Sequence, residues 1–117
     1  MSAAAFSAGE VAQFGRDGYC IARGLADAAL CADILRLAQR HLEAQVAPLE
    51  YEAEVQYPGA PASLDAPGGR TVRRLLQAYA RDALLRAWAT SPAVAARLRQ
   101  LLGPQVMLSQ SHHNCIM

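Results

Sequence analysis

The residues from Val106 to Met117, VMLSQSHHNCIM, read as one extended strand. Successive side chains of a strand point to opposite faces. One face then carries Val106, Leu108, Gln110, His112, Asn114 and Ile116, and the other Met107, Ser109, Ser111, His113, Cys115 and Met117. The first face sets three large polar side chains between apolar ones, as a strand lining a polar pocket does. Such a strand needs neighbours to satisfy its backbone groups. The expectation is a single partial domain over residues 1–117, the front part of a longer protein.

The rest of the chain reads as mainly helical, with about four helices. Ser7-Ala8-Gly9-Glu10 fits a capping box, with Phe6 placed to staple onto Val11, and opens a short helix ending near Gly18. Tyr19-Cys20-Ile21-Ala22 is a short apolar run read as a strand. Asp27 caps a long helix from about Ala28 to Val46, with Leu30, Ile34, Leu37, Ala38 and Leu42 at helical spacing. From Leu49 to Gly69 three glutamates, then Pro58, Pro61, Pro67 and Gly68-Gly69, read as a long loop. Helical spacing resumes at Val72, Leu75, Leu76 and Tyr79. Asp82 caps a short helix, Ser91-Pro92 starts another, and Gly103-Pro104 stops it.

Composition narrows the functional classes. With 53% hydrophobic and 18% charged residues the chain is globular rather than disordered. A net charge of +1 gives no electrostatic footprint for a nucleic-acid partner. No apolar run reaches the roughly 18 residues of a membrane span, and MSAAAFSAGE lacks the basic and apolar regions of a secretory signal. All eleven basic residues are Arg, which points to a GC-rich, bacterial coding bias. Cys20, Cys31 and Cys115 form no CxxC pair and read as reduced thiols of a soluble, cytoplasmic protein.

Two clusters resemble metal sites. His112-His113-Asn114-Cys115 is dense in ligand types, but adjacent strand histidines face opposite ways, so one lines the pocket and the other packs. His41-Leu42-Glu43 matches the His-x-Asp/Glu pattern that begins a non-haem iron triad. On a helix, positions i and i+2 diverge by about 200°, so this pair reads as a solvated face. The pairs Arg73-Arg74 and Arg97/Arg99 read as exposed faces as well.

The order of elements, with Phe14-Gly15-Arg16-Asp17-Gly18-Tyr19, then the Leu-rich helix, then Leu101-Leu102-Gly103-Pro104 and a strand carrying Gln110 and Asn114, resembles the N-terminal part of the phytanoyl-CoA dioxygenase family. The resemblance covers about residues 6–117, with the loop unmatched. It implies a double-stranded β-helix, or jelly roll, that uses Fe(II) and 2-oxoglutarate to hydroxylate a small-molecule substrate. Ectoine hydroxylase-like members carry Gln-x-x-x-Asn on this strand, which places Gln110 and Asn114 as 2-oxoglutarate-binding residues and His112 in the substrate pocket. Amides offer both donors and an acceptor to a carboxylate or keto group. The family's iron ligands, a His-x-Asp and a distal His, have no match on a corresponding strand here. The chain alone is therefore expected to bind no iron productively and to be inactive. The alternative expectation is a small helical protein-interaction module without catalysis.

Overall fold

The structure, a computed structural model, describes residues 5–108. Helix α1 (Ala8–Asp17) begins at Ser7, whose hydroxyl accepts from the Glu10 amide at 3.1 Å, while the Glu10 carboxylate accepts from the Ser7 amide at 3.0 Å. This reciprocal pair satisfies two of the amides that a helix N-terminus leaves open. Gly18, at φ 82°, ends the helix in the left-handed conformation that glycine tolerates. Helix α2 (Ala28–Glu43) starts at Asp27, whose carboxylate accepts from the Leu30 amide at 2.8 Å. Helix α4 (Ala83–Ala89) is capped in the same manner by Asp82, after the single turn α3 (Ala78–Arg81). Helix α5 (Pro92–Leu102) has Pro at its first position, but the Ser91 hydroxyl makes no capping bond and is buried without a hydrogen-bond partner. Proline's fixed φ and missing N–H start this helix, not the serine hydroxyl.

The strands lie elsewhere than the sequence suggests. Tyr19–Ala22 forms no strand, and Tyr19 and Ile21 are more than half exposed. The run has strand-like composition, but among the described residues no segment pairs with it. Instead β1 (Leu49–Tyr51) and β2 (Val72–Leu75) form a two-stranded antiparallel sheet. β1 opens the stretch read as loop, and β2 occupies the start of a pattern read as helix. A short apolar run is ambiguous between the two periods, and here pairing with a distant segment decides. Gln77, at φ 55°, then separates β2 from α3. In the register Leu49 faces Leu75, Glu50 faces Arg74 and Tyr51 faces Val72, so Arg73 is the extra residue of a bulge. At the other end, Val106–Leu108 carry no strand, and Ser109–Met117 lie outside the described residues.

The connection between β1 and β2 is compact. A 3-10 turn (Glu52–Glu54) follows β1 directly. The Glu52 amide donates to the Thr71 carbonyl at 2.9 Å and the Ala53 amide to the Gly69 carbonyl at 3.3 Å, which joins the two ends of the loop. Turn bonds donated by the Ala60, Ala66, Gly69 and Thr71 amides brace its interior. Gly69 is buried against the backbone of Ser63 and Leu64. A loop closed on itself in this way resembles an Ω-loop in its economy.

Packing between elements is thin. Among the described residues only Leu37, Leu75 and Leu85 are buried hydrophobic side chains. The accessible surface is 8125 Å², against about 6,200 Å² for a compact monomer of 12.5 kDa. The radius of gyration is 17.7 Å, against about 13 Å for a compact globule of this length. Among the described residues no helix is long and apolar enough to cross a membrane.

Two outcomes follow from the local geometry. A Cβ added at Gly69 collides with the Ser63 carbonyl oxygen and comes 2.8 Å from the Leu64 carbonyl oxygen. Gly69→Ala is therefore expected to destabilise by about 1–3 kcal/mol, read as a lower urea midpoint. In the capping box the Ser7 amide, and then the Ser7 hydroxyl, hold the Glu10 carboxyl below its ordinary range. A carboxyl depressed by folding stabilises above its unfolded pKa and loses that contribution as pH falls through the folded one. The Ser7 and Glu10 amide resonances should report α1 fraying over that acidic window, and Glu10→Gln should flatten the response.

Candidate functional site

The sequence-predicted site residues Gln110, His112 and Asn114, with the strand-face assignment that groups them, lie outside the described residues. What the structure shows is the surface around Val106, Met107 and Leu108. Ala89 and Thr90 at the end of α4, Ala95, Leu98, Arg99 and Leu102 of α5, and Val106, Met107 and Leu108 surround an apolar recess of about 350 Å³. Three consecutive residues, Val106, Met107 and Leu108, line it, which strict strand alternation does not produce. Leu102 is 63% exposed and Met107 87%.

The best-built polar constellation is one the sequence did not announce. Arg81, in α3, spreads its guanidinium over four acceptors. Its Nε donates to the Leu76 carbonyl at 3.1 Å, and one terminal nitrogen donates to the Val46 carbonyl at 2.7 Å. The other terminal nitrogen donates to the Pro48 carbonyl, and His41 Nδ1 lies 3.2 Å from the guanidinium. Arginine has donors only, so Nδ1 is the acceptor and the ring proton sits on Nε2. Burial pushes the Arg81 pKa down from its usual value. The clamp joins the end of α2, the connection into β1 and the end of β2. Its partners lie 5 to 40 residues away, so no local pattern signals it.

His41 is thus half-buried on a guanidinium rather than part of a solvated face, while Glu43 is exposed and diverges from it. The arginine pairs need a similar correction. Arg74 is half-buried and lies 3.3 Å from Glu50 across the ladder, in a geometry that brings the charges together without an aligned hydrogen bond. Arg73, freed by the bulge, stacks over the Tyr57 ring at 5.4 Å. The Tyr57 hydroxyl donates to Glu52 at 2.6 Å, and that bond raises the phenol above its usual pKa. Arg97 is half-buried over the Phe6 ring at 5.4 Å, and only Arg99 is exposed as expected. Phe6 is held to α5 by its backbone, which exchanges two hydrogen bonds with the Gln100 amide at 2.8 and 3.0 Å. Cys20 and Cys31 carry free thiols.

Among the described residues no group of three His, Cys, Asp or Glu side chains is placed to hold a metal ion. They therefore do not fit an iron site, and no chemical step is routed through one. No family model matches the chain, and no curated protein or solved structure matches it either.

Arg81→Ala removes the donors from three carbonyls at once. A loss of about 1–3 kcal/mol in unfolding free energy is expected. Arg81→Lys should recover only part of it, because an ammonium lacks the planar fork that reaches several carbonyls together.

Proposed function

We propose that the chain supplies the N-terminal helical layer and first strands of an Fe(II)/2-oxoglutarate-dependent oxygenase of the phytanoyl-CoA dioxygenase type, acting on a small-molecule substrate. The carrying observation is Gln110-Ser111-His112-His113-Asn114 at the end of an ordered series of capped helices. In this role Gln110 and Asn114 orient 2-oxoglutarate through their amides, and His112 lines the substrate pocket. The iron ligands are carried by residues that follow Met117 in the parent protein. The helix starts at Ser7, Asp27 and Pro92 support the reading because they preserve the order of elements that the resemblance rests on. The apolar recess against Val106, Met107 and Leu108 leaves room for further protein to pack, but these residues form no strand and add no support for a sheet. Tyr19–Ala22 adds no support, because it is not a strand.

The second reading, a helical interaction module without catalysis, is favoured by the same exposed apolar surface. Turnover separates the two. Residues 1–117 alone should show no Fe(II)-dependent consumption of 2-oxoglutarate. A longer product of the same reading frame should carry a His-x-Asp and should turn over. In it, Asn114→Ala should weaken 2-oxoglutarate binding by roughly 0.5–1.5 kcal/mol per hydrogen bond removed. A longer product without His-x-Asp sinks the oxygenase reading. Unchanged binding in Asn114→Ala sinks the site assignment alone.

A further inference from the structure

Helix α1 buries no side chain of its own. It packs against α5, and the attachment centres on Phe6, one residue ahead of the capping box. The Phe6 amide donates to Gln100 Oε1 at 2.8 Å, and Gln100 Nε2 donates to the Phe6 carbonyl at 3.0 Å. One side-chain amide thus meets both backbone groups of a single residue, since it offers an acceptor and donors together. The Phe6 ring lies under the Arg97 guanidinium at 5.4 Å, and the same guanidinium acts on the Glu10 carboxylate. The far end of α1 is held differently. Gly18 and Gly24 take positive φ of 82° and 65°. Tyr19 and Ile21 are more than half exposed. Among the described residues, no amide from Tyr19 to Asp27 donates to a backbone carbonyl. We propose that residues 6–18 form a latch, which unlocks from α5 at Phe6 and swings as a unit on the connection from Gly18 to Asp27 while the remaining fold stays closed.

Local opening falls where few apolar side chains are buried and the bonds that hold an element face solvent. Helix α1 meets both conditions, because the two Phe6–Gln100 bonds are exposed. The rest of the fold does not. Leu37 of α2, Leu75 of β2 and Leu85 of α4 are buried, and the Arg81 clamp ties the end of α2 to the small sheet. The latch also carries its own ends. The capping box closes one, and the Gly18 amide closes the other on the Phe14 carbonyl at 2.8 Å. Leaving α5 therefore costs α1 none of its caps, and the unit departs whole instead of unravelling from Ser7. A detached helix of this length is marginal in water, so its amides meet solvent once the latch is open. Helix α5 links the latch to the recess. At about 100° per residue, Arg97 and Gln100 lie on one face and Ala95, Leu98 and Leu102 on the opposite one, which lines the recess. The closed latch backs the helix that walls it.

Amide hydrogen exchange on the full chain provides the test. The α1 amides with helical acceptors, from Val11 to Gly18, should share one opening equilibrium, with protection below that of α2 and of the β1–β2 ladder. Gln100→Ala should raise their exchange together by at least about five-fold, the change that two hydrogen bonds make at the low end of their net worth. Rates in α2 and the ladder should not move. Gln100 is exposed, and alanine forms helix better than glutamine, so damage to α5 does not produce the effect. Gln100→Glu should act in the same direction and less strongly, because a carboxylate keeps an acceptor for the Phe6 amide but has no donor for the Phe6 carbonyl. Exchange of α1 in the same opening as α2 and the ladder overturns the proposal. So does indifference of α1 to Gln100→Ala, a gradient of exchange that frays inward from Ser7, or an α1 without protection in the unchanged chain. The latch stands apart from the oxygenase reading: its failure leaves that reading where it was, and absent turnover leaves the latch.

Discussion

Arg81 reinforces a junction that the Leu76 amide, donating to the Pro48 carbonyl at 3.1 Å, already begins to close. Its guanidinium meets the carbonyls of Val46, Pro48 and Leu76 and the ring of His41, so the exit of α2, the start of β1 and the end of β2 share one side chain. A guanidinium suits this position because it offers five donors in a fixed plane and no acceptor. The Phe6 backbone on the Gln100 amide, and Glu50 beside Arg74, work in the same style. Polar side chains reaching distant backbone thus add to the backbone pairing of β1 and β2. Each such bond contributes only about 0.5–1.5 kcal/mol net.

That style leaves apolar surface without a partner. With Leu37, Leu75 and Leu85 the only buried hydrophobic residues among those described, burial cannot supply what a core of ordinary size would. Part of the uncovered apolar surface is gathered rather than scattered. Leu98, Leu102, Met107 and Leu108 gather around one recess, and Leu35 and Leu42 lie along a different helix face. Contiguous apolar patches of this kind mark places where other protein packs. Two separate patches allow two separate occupants.

What the sequence disclosed depended on the distance over which each feature is decided. The caps at Ser7, Asp27 and Asp82 are settled within three residues, and all three form as expected. Pro92 starts α5 through its own backbone, so the boundary was legible although the Ser91 hydroxyl plays no part. Strands are decided by partners. Tyr19–Ala22 has the composition without the partner, whereas Leu49–Tyr51 and Val72–Leu75 find each other across a twenty-residue connection that reads as loop. The Arg81 clamp and the Arg73 bulge depend on that same pairing, so they were hidden with it. The candidate site at Gln110, His112 and Asn114 rests on the sequence alone.

The small sheet depends on support from outside its own ladder. An isolated two-stranded ribbon is marginal in water. Here loop hydrogen bonds tie its far end, and Leu75 is buried on one side of it. The ladder holds only three pairs, and among the described residues no third strand joins it. A self-sufficient interaction module has to keep such a ribbon ordered with its outer backbone groups left to water. A jelly roll has neighbouring strands to offer those groups. The ribbon's outer edges are open to further strands, but β1 lies in the stretch that the resemblance leaves unmatched, so the ribbon weighs for neither reading.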